Sequence, residues 1–149
     1  IEQEESLRFV EIETRVETTL VVDSTEYKEY LKKVAALQKK ADFVNEVIDD
    51  MWSEAKSNID FLSGNKTISQ VRAKAYELEE KAKSVREEMD GYLNDTPQYR
   101  ALESEAAFLE DVAVRIRATK GSQQSMLLLA EEIKRKLKSE SEKDWDVTE

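Results

Sequence analysis

One apolar stripe, carried by the residues from Thr25 to Gly64, limits the possible folds more than any other feature of this chain. Tyr27, Tyr30, Val34, Leu37, Ala41, Val44, Ile48, Met51, Ala55 and Leu62 follow one another three and four residues apart, with Asn58 in the slot between Ala55 and Leu62. That spacing lines them along one side of a helix. A band this narrow is covered by another helix, not by a sheet. At ~1.5 Å per residue the helix runs to roughly 60 Å, which is long for a chain of 149 residues. The expected fold is mostly α: an elongated antiparallel three-helix, coiled-coil-like bundle, built as a rod or a ring subunit.

Composition agrees with long helices and few turns. Charged residues make up 38% and hydrophobic residues 40%, with three glycines and one proline. The chain has no cysteine, which removes disulfides and thiolate chemistry. It has no histidine, the commonest general base and metal ligand. No apolar run resembles a membrane span or a signal peptide, so a cytoplasmic protein without a membrane partner is expected. The net charge of −10 makes the surface as a whole a poor match for phosphate backbones. Nucleic-acid binding would need a local basic strip multiplied by oligomerisation, and a protein partner is the simpler expectation.

A single helical oligomerisation domain is predicted over 1–138. Its first part, 1–23, reads as an extended segment. Val10, Ile12, Thr14, Val16, Thr18, Leu20 and Val22 alternate with Glu11, Glu13, Arg15, Glu17, Thr19, Val21 and Asp23, the period of a half-buried β-strand. A helical N-terminus is the alternative. Helices are expected over 24–64, 66–93 and 96–138. Asp23 or Ser24 caps the first, in a box closed by Glu26, and Gly64 is able to end it in the left-handed conformation. Thr67 and Gln70 form a second capping box, and the short loop before it predicts a second helix folded back on the first. Thr96 and Pro97 start the third. Its stripe is interrupted by Thr119, Lys120, Gly121 and Gln123, where the helix is either kinked or broken in two. Phe43, Val47, Trp52, Phe61, Phe108 and Leu127 to Leu129 lie off the narrow seams, and self-association would bury them. Residues 139–149 read as an acidic, disordered tail.

Candidate chemistry is sparse. Paired carboxylates such as Asp49-Asp50 and Glu131-Glu132 point to different helix faces and read as solvated surface. A carboxylate metal site inside the bundle is the weakest of the readings. Neither a metal, a cofactor nor a catalytic residue is expected, and the chain is read as non-enzymatic. Among basic groups, Arg115, Arg117 and Lys120 are the least diluted by neighbouring acids and are the best local candidates for phosphate contact. Trp145, between Asp144 and Asp146 in the tail, is a candidate for docking into a partner's pocket.

Two stretches carry a resemblance. Leu20-Val21-Val22-Asp23-Ser24-Thr25 opens the long helix, and Lys56-Ser57-Asn58-Ile59-Asp60-Phe61-Leu62-Ser63-Gly64 closes it. At this separation they resemble the bacteriophage UvsY recombination mediators, and the group from Arg115 to Gly121 looks like that family's basic stretch near a glycine. The resemblance implies a ring-like homo-oligomer that binds single-stranded DNA weakly per subunit. It also implies help in loading a RecA-like recombinase onto strands covered by single-strand-binding protein, in the host cell cytoplasm. Lys56 matches one of the family's DNA-contact positions, whereas Asn58 stands where an arginine is expected. Several weak sites on one ring would act together, with strong salt dependence. The competing reading is a structural coiled-coil adaptor, a phage scaffold or assembly chaperone, that binds only protein.

Overall fold

A computed structural model describes residues 25–143, and within them every regular element is helical. Four helices follow one another: α1 (Thr25–Phe61), α2 (Ile68–Met89), α3 (Pro97–Thr119) and α4 (Gln123–Ser141). The N-terminal extended segment, 1–23, lies outside the described residues.

Local chemistry sets most of the boundaries. Thr67 caps α2: its hydroxyl accepts from the Gln70 backbone N–H while the Gln70 side chain accepts from the Thr67 N–H. The box satisfies two donors that the first turn leaves unpaired. Thr96 caps α3, and Pro97 occupies its first turn, where a missing N–H costs nothing. At the end of α1, the Ser63 hydroxyl donates to the Asp60 carbonyl at 2.6 Å. Gly64 is not left-handed. Positive φ among the described residues occurs only at Lys120 (51°) and Gly121 (82°).

That pair resolves the interruption in the third stripe as a break. The stretch read as one helix over 96–138 is two helices, and α4 then continues to Ser141. Residues 139–141, expected in the tail, are therefore helical. Two consecutive left-handed residues reverse the chain, and the helix cannot continue through them. Thr119, expected to be a poor core residue, is buried. Its hydroxyl donates to the Ile116 carbonyl and accepts from the Gly121 N–H, so burial leaves it satisfied.

One core joins all four helices. The tightest pairing is α2 with α3, not α2 with α1: no Cα of α1 lies within 8 Å of one in α2. Alanine spacing explains this preference. Ala75 and Ala82 on α2 and Ala106 and Ala113 on α3 are all buried and let two backbones approach closely. Ion pairs run along the same seam, Arg86 with Glu110 and Arg117 with Glu79. On the other flank of α3, Arg115 meets Glu132 and Lys136 meets Asp111, both across to α4. The backbone of α1 approaches α3 and α4, and it reaches α2 by side chains, through Glu54 to Lys81 and Phe61 to Lys74. Burial on α1 starts at Ala41 and ends at Asn58. Val47, Phe108 and Leu129, expected off the seams, are core residues, because α1, α3 and α4 each bury a band wider than one seam. Trp52, Leu127 and Leu128 remain exposed.

Candidate nucleic-acid interface

The basic residues singled out from the sequence behave differently from one another. Arg115 is bonded to Asp111 one turn earlier at 3.0 Å and also to Glu132 of α4. The hydrogen bond to Asp111 holds its guanidinium above its ordinary pKa. Burial pushes the Asp111 carboxyl upward, but bonds from Lys136 and Arg115 outweigh it and leave the group below the usual carboxylate range. Arg117 is bonded to Glu79 of α2. Neither arginine is the bare cation its sequence neighbourhood suggests. Glu132, one of the two acids that match Arg115, and Glu79, which matches Arg117, lie 17 and 38 residues away in the chain, out of reach of a local reading, whereas Asp111 is four residues before Arg115.

Lys120 is exposed, and it forms the left-handed cap of α3. Lys56 is exposed on α1, about 8 Å along the axis from the helix end. No ion pair to a described residue involves either. The two belong to one end of the bundle, because the α3–α4 turn rests on the α1–α2 loop. A Cβ built on Gly121 would lie 2.6 Å from the carbonyl oxygen of Lys66. Only glycine allows that approach, and its positive φ is the second reason for it.

This contact brings together two segments that share an unusual composition. Residues 56–74 hold Lys56, Lys66, Arg72 and Lys74 against Asp60 alone. Residues 112–130 hold Arg115, Arg117 and Lys120 with no acid at all. An acidic chain thus has one basic end. Phe61 lies within it, half-buried, with the Lys66 Nζ 5.1 Å and the Lys74 Nζ 5.8 Å from its ring centroid. Sequence reading missed Lys66, Arg72 and Lys74. The shortage of acids in both segments was the available signal, but joining the segments required the turn-on-loop contact.

Asn58, in the slot where the resemblance calls for an arginine, is 0% exposed, and neither side-chain amide atom has a partner. It belongs to the core and cannot reach a strand of DNA outside. Trp145 lies outside the described residues. Among the described residues no group of three or more carboxylates is placed to hold a metal ion, and no helix is long and apolar enough to cross a membrane. The α3–α4 cleft is an open groove of about 250 Å³ in which Asp111, Arg115, Glu132 and Lys136 are matched to one another and Arg135 also lines the wall. One buried carboxyl, Glu105 on α3, was not foreseen. It stands between Leu102 and Leu109, three and four residues from each, which places it on the apolar face. In comparisons with known proteins, no family model, curated protein or solved structure matches this chain.

Proposed function

We propose that this chain is a non-enzymatic, homo-oligomeric binder of single-stranded DNA, a recombination mediator of the kind the sequence resembles. In this reading its antiparallel bundle assembles through exposed apolar groups, and its basic end contacts the phosphates. The observation that supports it is the segregation of charge: a chain of net charge −10 collects Lys56, Lys66, Arg72 and Lys120 at one end, where Gly121 seats on Lys66. Local positive potential of this sort attracts a polyanion even when the whole molecule repels it. One subunit presents only a few cations, so useful affinity needs several basic ends on one strand. Phe61 beside two lysines suits an unstacked base next to its phosphates. Loading of a recombinase onto strands covered by single-strand-binding protein is the role such a binder would serve.

Titration of a fluorescent single-stranded oligonucleotide across a range of salt concentrations tests the reading. Binding at low salt that weakens steeply with added salt is expected, and Lys66→Ala with Lys120→Ala should flatten that slope. No binding at low salt would remove DNA from the function. The protein-only adaptor is then favoured by one observation: Tyr76, Val114, Leu127 and Leu128 are exposed, at 60%, 65%, 51% and 61%. An oligomer indifferent to DNA that retains a protein through these side chains would decide for it.

A further inference from the structure

Helix α3 is held on both flanks and left bare on its outer side. Bonds to Arg86 and Glu79 tie its Glu110 and Arg117 to α2, and bonds to Lys136 and Glu132 tie its Asp111 and Arg115 to α4. Val114 stands between these two rows, 65% exposed, on the side of the helix opposite Leu102, Leu109 and Ile116. Ala118, about one turn on, is exposed beside it. An open hollow of about 280 Å³ carries the apolar surface from Ala118 to Leu128 of α4, which is also exposed. An apolar centre inside a polar rim is the pattern of a protein–protein contact. The rim is ordered. Within about two turns of Val114, the acids Glu110 and Asp111 precede it and the cations Arg115, Arg117 and Lys120 follow it.

We propose that this face docks on the same face of a second copy, with the two α3 helices antiparallel and the twofold axis crossing them at Val114. Val114 then meets its own counterpart. Reversal of direction sets Glu110 beside the second copy's Arg117 along the α2 flank, and Asp111 beside its Arg115 along the α4 flank. These four side chains are between 33% and 48% exposed, so they retain hydrogen-bonding capacity beyond the partners they already have. A parallel copy would set acids on acids and arginines on arginines. Any other occupant would have to carry arginines where α3 has acids and acids where it has arginines, an order that α3 itself presents when reversed. That self-match assigns the face to a second copy. Burial of Val114 and Leu128 drives the contact, and the charges fix its direction.

Such pairing rests on the homo-oligomeric half of the function proposed above and is independent of its DNA-binding half. It also places the basic ends. Lys120 lies less than about two turns beyond Val114, so the two Lys120 backbones stand roughly 20 Å apart along the helix direction. One strand reaches both, which is the arrangement that multivalent binding needs.

Light scattering of the full chain reads the pairing. Val114 is exposed, so Val114→Asp and Val114→Lys should fold as the unmodified chain does, which urea unfolding checks. Each variant alone sets two like charges together at the axis, and a mass at least about twofold below that of the unmodified chain is expected. Mixing the two variants in equal amounts should restore the mass, because residue 114 faces itself only at a twofold axis. The chain has no cysteine. Val114→Cys oxidised by copper phenanthroline in air should therefore give a disulfide-linked dimer, while Ser84→Cys, exposed on α2, should not. A Val114→Asp chain that keeps the unmodified mass, a mixture that stays at the lower mass, or equal cross-linking at both cysteines would each overturn the proposal. The first of these, with an oligomer still present, leaves self-association standing on another surface. A monomeric unmodified chain removes both.

Discussion

Gly121 lies so close to the carbonyl oxygen of Lys66 that a Cβ at residue 121 would stand 2.6 Å from it. The α3–α4 turn is therefore seated directly on the backbone of the α1–α2 loop. Gly121→Ala meets two penalties, a clash with backbone that cannot swing aside and a φ of 82°. A loss of ~2 kcal/mol or more is expected in urea unfolding. Gly64→Ala is the control. Its Cβ would meet only the flexible end of Lys66 at 3.2 Å, and its φ is not positive, so little change is expected.

Asn58 fills an apolar slot with an amide that bonds to nothing. Asn58→Leu keeps the number and branching of the side-chain heavy atoms and removes the desolvated polar ones, so a gain of ~1–2 kcal/mol is expected, read as a higher urea midpoint at unchanged slope. Asn58→Arg, the residue the resemblance calls for, would force a charge into a position that is 0% exposed and should loosen the end of α1.

Glu105 makes global stability depend on pH in a direction opposite to that of most carboxylates. Its folded-state value of about 7 lies above the ordinary 4.5. The folded chain therefore binds the proton more strongly than the unfolded one. The extra stability is complete below pH 4.5, declines as pH rises, and is gone above about 7. The span across that window is up to about 3 kcal/mol. Urea unfolding of Glu105→Gln at several pH values should show this decline removed.

Arg86 grips Glu110 with two bonds, and the bond holds the arginine above and the glutamate below their ordinary pKa values. Both side chains remain substantially exposed, at 40% and 44%. Solvent screens such a pair, so a double-mutant cycle should give a coupling of no more than about 1 kcal/mol, reduced further by salt.

Arg117→Ala separates structural from DNA-binding cations. Its partner Glu79 already neutralises it, so the variant should change oligonucleotide affinity less than Lys120→Ala does. Anisotropy titrations of the two variants side by side make the comparison.

Much of the fold was legible in residue order. The three-four spacing marks each helix, and the caps at Thr67 and Thr96 stand where their residue types suggest, because a cap is a bond between neighbours in sequence. The candidate site was legible only in part. Lys56 and Lys120 are exposed, yet Arg115 is matched by Asp111 one turn away and by Glu132, and Arg117 by Glu79, the last two being acids brought to them by other helices.

By itself the sequence determined which segments are helical and roughly where they begin, since periodicity and capping act within about one turn of chain. Tertiary structure alone decided that α2 packs closest to α3, that Glu105 is buried, and that residues 56–74 and 112–130 meet at one basic end. Those outcomes depend on which stripes cover one another. A stripe specifies that it must be buried, and the shape of the opposing surface specifies by what.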